Sequence, residues 1–152
     1  MSKMPPQSTP DFMIQRVYLK DVSFESPNSP TIFSEPFEAE SQLNLNNNIK
    51  KLDENIYEVT LTITITVKTK SKTAFLVELH QSGIFAVMKP LKEKELKELL
   101  ATKCPECLYP YARASISNLI MQGGFPSMDL PPMDFKALYE SQHEHKEDKA
   151  KH

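Results

Sequence analysis

From Tyr57 to Lys68 the chain alternates without a break. Tyr57, Val59, Leu61, Ile63, Ile65 and Val67 share one parity, and Glu58, Thr60, Thr62, Thr64, Thr66 and Lys68 share the other. A period of two predicts a strand with one face on a core and a threonine-rich face toward solvent. A polar turn at Thr69–Lys72 leads to a second strand over Thr73–Phe85. Phe75, Val77 and Leu79 lie on one side of it; Ala74 and Leu76, then Glu78 and His80, lie on the other. Upstream, Phe37–Leu45 alternates Phe37, Ala39, Leu43 and Leu45 against polar positions, and Asn46–Asn55 reads as a turn. Phe12–Glu25 predicts the first strand. Val17 and Leu19 fall on one parity and Ile14, Tyr18, Val22 and Phe24 on the other. Such mixing predicts a bulge or a strand covered on both sides. No proline lies between Phe37 and Lys89, as a sheet requires. Four strands joined by short turns imply an antiparallel sheet.

The period then changes. Leu91–Ala101, opened by Pro90, predicts an amphipathic helix with Leu96, Leu99 and Leu100 inside and Glu93/Lys97 and Lys94/Glu98 as i,i+4 pairs outside. A second helix over Leu108–Met121 places Leu108, Tyr111, Ala112, Ser115, Ile116, Leu119 and Ile120 on one face. Its other face carries Ala114, Ser117, Asn118 and Met121. Arg113 is the single charge from Leu108 to Pro126, where a surface helix of this composition would hold about five. A helix apolar on both sides predicts burial against another subunit. Gly123-Gly124 stops it. Phe125–Met133 is a proline-rich crossing segment, and Asp134 caps a short final helix carrying Phe135, Leu138 and Tyr139.

Strands first and helices after predict an α+β fold. The divisions are a disordered N-terminal tail over residues 1–11, one domain over 12–140 and a flexible charged tail over 141–152. One sheet and so little helix leave surface uncovered, which again predicts self-association.

With 152 residues, 39% of them hydrophobic, the chain has material for one modest core. A formal charge of −2 offers no basic field for nucleic acid or anionic lipid. The N-terminus lacks an apolar signal segment, and the longest apolar run, Ile84–Met88, is too short to insert in a bilayer. The expected compartment is the cytoplasm, with the two cysteines reduced. Three glycines, Gly83, Gly123 and Gly124, cannot make a GxGxxG or GxxxxGK[ST] phosphate loop.

Cys104-Pro-Glu-Cys107 has the spacing of a redox dithiol or half a zinc site. It lacks a second pair and a βαβ context, so a structural role is expected, with no cofactor and no metal. A thiol oxidoreductase remains the enzyme alternative. His143, His145 and His152 cluster in a polar tail. Aromatic and methionine residues in loops say more: Phe33 and Phe37 flank one proline-broken segment, and Phe125, Met128, Leu130, Met133 and Phe135 line another. Such side chains either pin loops to the core or form grooves with adaptable walls.

Five segments carry a specific resemblance. Cys104–Arg113 (CPECLYPYAR), with the apolar helix, GGFP and LPPMDFKALY after it, closely resembles the C-terminal half of the SecB family of bacterial protein-export chaperones. Ile14–Pro30, the Phe33/Phe37 segment, Tyr57–Val67 and Thr73–Phe85 match in the same order. Together they cover about Phe12 to Tyr139. The resemblance implies an ATP-independent, non-enzymatic holdase that binds non-native precursor proteins and delivers them to the SecA ATPase. It implies two sheets joined edge to edge in a dimer, and two dimers packed with their long helices between the sheets. Phe33, Phe37, Phe125, Leu130, Met133 and Phe135 would border the polypeptide groove. Asp21, Glu25, Leu76 and Glu78 would form the SecA docking face, with Leu76 an exposed anchor. Val77, Leu79, Gln81, Ile116 and Leu119 would lie at the oligomer interface. A SecB-like chaperone of a toxin–antitoxin system shares the same pattern.

Overall fold

The computed structural model describes residues 8–150, and side chains as far as residue 143. Four strands form one antiparallel sheet: β1 (Phe12–Glu25), β2 (Ala39–Asp53), β3 (Ile56–Thr69) and β4 (Lys72–Val87). Their order is β1-β4-β3-β2, so β1 crosses over to pair with the last strand and both β1 and β2 are edges. Two helices follow, α1 (Glu93–Gln122) and α2 (Phe135–Ala150). The α+β reading holds.

β1 has the expected bounds, and its mixed parity has the expected cause. The β1–β4 register slips between Ile14 and Arg16 and between Leu19 and Asp21. Each slip moves the next apolar residue back to the helix side, so Ile14, Val17, Leu19, Val22 and Phe24 all pair with odd-numbered residues of β4. The β3–β4 turn places Lys70 and Ser71 at φ of 49° and 67°. Two left-handed residues match the twist of a two-residue hairpin.

Two expectations are corrected. Asn46–Asn55 is not a turn region: β2 continues to Asp53, pairing Asn46, Asn47 and Asn48 with Thr62, Leu61 and Thr60. Only Glu54 and Asn55 turn, Asn55 at φ 60°. Pairing along the whole of β3 outweighs the weak strand preference of asparagine. The two predicted helices are one. α1 runs through Pro105 and Pro110, both inside it. Each proline removes one helical donor, yet burial of Leu99, Leu100, Cys104, Leu108 and Tyr109 along this stretch holds the helix together. α2 likewise extends past Tyr139 to Ala150, beyond the short helix expected. Asp134 caps it as predicted, Oδ1 accepting from the Ala137 N–H at 3.0 Å. The N-terminal tail lies mostly outside the described residues.

α1 lies over the odd-numbered face of β3 and β4. Val59, Leu61, Ile63, Ile65, Val67, Phe75, Val77, Leu79 and Phe85 join Leu108, Ala112, Ile116 and Ile120 in one buried cluster. Gly83 permits this contact: a Cβ there would stand 2.9 Å from Leu108 Cδ2. At the helix end Gly124 turns left-handed (φ 87°), and a Cβ on Gly123 would enter the Phe24 ring.

Candidate polypeptide-binding and docking surfaces

Phe125 is the hub of an aromatic cluster. Its ring centroid lies 4.8 Å from Phe75, 5.1 Å from Phe33, 6.1 Å from Phe37 and 6.4 Å from Phe24. Phe75 and Phe125 are buried, whereas Phe33 and Phe37 stay 51% and 40% exposed. The loop between β1 and β2, with a short 3-10 turn at Thr31–Ser34 and Ile32 as its buried peg, holds the two open rings. The result is an apolar platform resting on core.

The other three expected groove residues lie along the crossing segment. Leu130 and Phe135 are buried and Met133 is half-buried, so the first two are walls rather than open surface. Ser117 Oγ donates to the Met128 carbonyl at 3.2 Å, and Tyr109 OH donates to the Pro131 carbonyl, tying the segment to α1. The Phe135 ring meets Tyr109 edge-on at 5.7 Å. Phe135 also opens onto a groove of about 220 Å³ between β2 and α2. Leu45, Asn47, Ile49, Leu138 and Tyr139 line this groove, and sequence reasoning did not assign them to a site. The signal was hidden because Asn46–Asn55 read as a turn.

The four residues expected at a SecA docking face share one face of the sheet. Glu25 pairs with Leu76, Ser23 with Glu78 and Asp21 with His80 on the even-numbered face of β1–β4. Asp21, Glu25 and Glu78 are exposed, but Leu76 is only half-exposed, a correction to its reading as an open anchor. β1 and β3 flank it closely enough to cover part of the side chain. His80 sits among these acids, Nε2 3.2 Å from Glu78 Oε1 and Nδ1 3.2 Å from Thr62 Oγ1. Further along the same face Tyr18 OH donates to Glu58, and Lys20 Nζ stands 2.9 Å from Glu58 Oε1. Those two hydrogen bonds hold the Glu58 carboxyl below the usual carboxylate range. Burial, and then the bond to Glu58, push Tyr18 up to about 12.

The residues expected at the oligomer interface divide by depth. Val77, Leu79, Gln81 and Ile116 are buried within the single chain, and Gln81 Nε2 donates to the Tyr18 carbonyl at 3.1 Å. Leu119 is half-exposed. Open apolar surface lies beside them instead. Tyr111, placed by periodicity on the buried face of the helix, is 53% exposed, and Met121 is 52% exposed. α1 packs mainly over β4, β3 and β2, and Ile14, Leu19 and Val22 of the edge strand β1 stay open on the helix side.

The thiols are poorly placed for redox chemistry. Cys104 is fully buried, and burial pushes its thiol up to about 12; burial also raises Cys107. A thiol attacks as thiolate, so both are suppressed as nucleophiles near neutral pH.

Residues 5–146 match the family described as preprotein translocase subunit SecB. The chain belongs to the SecB family. Protein-export protein SecB of Xylella fastidiosa is 46% identical over 87% of this chain and 76% of its own length. The SecB of Legionella pneumophila is 46% identical over 90% and 83%, and that of Methylococcus capsulatus 44% over 93% and 91%. Among solved structures, the SecB-like chaperone of Mycobacterium tuberculosis, in complex with a ChAD peptide from the HigA1 antitoxin, aligns with a TM-score of 0.68. It does so at 15% identity over 81% of this chain and 91% of that one, so it shares the fold. No described helix is long and apolar enough to cross a membrane. The SecB family resemblance drawn from five sequence segments is thereby met along nearly the whole chain.

Proposed function

We propose that this SecB-family chain is a cytoplasmic, ATP-independent holdase without enzymatic activity, which keeps precursor proteins unfolded for export and passes them to SecA. The observation that carries the reading is the aromatic platform, where Phe33 and Phe37 stand open on buried Phe125. Burying a guest's apolar side chains there gives about 25 cal/mol per Å² and asks for no particular sequence. The groove between β2 and α2, lined by apolar and polar side chains together, adds a second site, and several weak sites multiply through effective concentration. The acidic face around Leu76 offers SecA a surface on the opposite side of the sheet from the helix-covered core. High identity to protein-export relatives favours precursor proteins as clients over an antitoxin.

Assembly as a dimer of dimers forms part of the proposal. Ile14, Leu19, Val22, Tyr111 and Met121 supply the apolar contact, with half-exposed Leu119 among them. Val77, Leu79, Gln81 and Ile116 support it from one layer below. The deciding experiment combines native mass with light scattering of an aggregating unfolded protein in the absence of ATP. Four copies and suppressed scattering are expected; unsuppressed aggregation by the intact assembly overturns the holdase reading.

A further inference from the structure

Asn47, in the wall of the groove between β2 and α2, carries one polar atom that the described residues leave unpaired. Asn47 Nδ2 donates to the Leu100 carbonyl of α1 at 3.2 Å. A carbonyl only accepts, so this bond fixes the amide orientation and leaves Oδ1 as a free acceptor. Oδ1 is closed off from solvent, and no described group donates to it; it is the sole buried side-chain oxygen or nitrogen in that condition among the described residues. Buried polar atoms are rarely left so, and this one lies just behind a groove wall through which a donor can come.

We propose that Asn47 Oδ1 is a receptor for polypeptide backbone, accepting a main-chain N–H from an extended guest segment in this groove. The inference rests on reading the groove as a guest site and names the polar contact within it. The occupant follows from the chemistry of the walls. Leu45, Ile49 and Leu138 form an apolar strip that takes one guest side chain, and Asn46, Gln142 and His143 make the rest of the wall polar. The single unmet demand is for a donor, and every residue except proline carries one on its main chain. Backbone capture therefore adds affinity without choosing a sequence, which suits varied clients. The space of about 220 Å³ suits a side chain with its backbone. Because Oδ1 is shielded, the donor reaches it as the groove widens. α2 is the wall that can yield, since its main packing is against α1.

The test uses the full chain and a short fluorescent peptide of leucine, phenylalanine and serine, with each main-chain N–H replaced in turn by N-methyl. One position is expected to lose affinity by about three- to tenfold, the range of a single hydrogen bond. Asn47→Ala is expected to bind the unmethylated peptide more weakly and to abolish the difference at that position. The methyl scan on the unaltered protein stands whether or not the variant folds. A flat scan, or a difference that survives in folded Asn47→Ala, overturns the inference while leaving the holdase reading intact. Failure of the unmethylated peptide to bind at all overturns both. A flat scan with affinity that rises on removal of residues 1–7 assigns the groove to the chain's own N-terminus and also overturns it.

Discussion

Glu25 stands directly across the β1–β4 ladder from Leu76, and Glu78 follows two residues along the same face. Two strands distant in sequence thus place carboxylates around one half-exposed apolar side chain. Glu78→Lys is expected to weaken SecA binding by about tenfold at low salt and less at high salt, because exposed charges are screened. Titration calorimetry at two ionic strengths measures it. Unaltered affinity at low salt would place the docking face elsewhere.

Open and buried members of the aromatic cluster should separate binding from stability. Phe33→Ser with Phe37→Ser is expected to lower guest affinity by about tenfold and to change folding stability by less than about 1 kcal/mol. Phe125→Ala removes the hub and should cost about 3–5 kcal/mol in denaturant unfolding. Equal destabilisation by both would mean that the open rings serve only the fold.

Assembly is tested on the surface and not in the core. Tyr111→Glu with Met121→Lys should shift a tetramer to dimers in analytical ultracentrifugation and leave the secondary structure unchanged. Leu79→Lys places a charge in the single chain's own core, where about 3–5 kcal/mol is at stake. It should unfold the protein before it reports on subunit contacts.

Much of this arrangement was legible in the sequence. The unbroken alternation of Tyr57–Lys68 and the uncharged run after Leu108 each had a single reading, and β1 was located even through its bulges. Two local rules misled. Asparagine and lysine after Leu45 resemble a turn, but the ladder to β3 provides partners that propensity does not see. Prolines 105 and 110 resemble helix breaks, but α1 is held from the outside by packing. The groove beside Asn47 was illegible for the first reason, since its floor is the part of β2 read as turn. Tyr111 was misplaced because periodicity defines a face and not which neighbour covers it.

Acid should weaken the fold through Glu58. Its native carboxyl titrates below the ordinary range, so the stability it contributes is present at neutral pH and is lost as the pH falls through the native value. Glu58→Gln is expected to lower the denaturant midpoint at pH 7, with the gap to the parent protein closing in acid. Tyr18 acts at the other extreme. Its contribution is complete below the ordinary tyrosine value and is lost as pH rises through about 12. A Glu58→Gln gap that is constant from neutral pH into acid would remove the carboxylate from the account.

The cysteines should be silent. Native Cys104 and Cys107 are expected to react slowly with a disulfide reagent at pH 7, and Cys107→Ser to protect guests as well as the parent chain does. Loss of protection in that folded variant would revive the oxidoreductase alternative.

The order β1-β4-β3-β2 also sets a timetable for synthesis. Hairpins β2–β3 and β3–β4 join neighbours and can close as soon as each turn is made. β1 is the first strand translated and the last to find its partner, because that partner is the final strand. Until β4 is complete, Ile14, Leu19 and Val22 have no ladder to join, and loop closure over that separation is slow. A member of an export-chaperone family thus passes through its own synthesis with its leading strand waiting unpaired outside the ribosome.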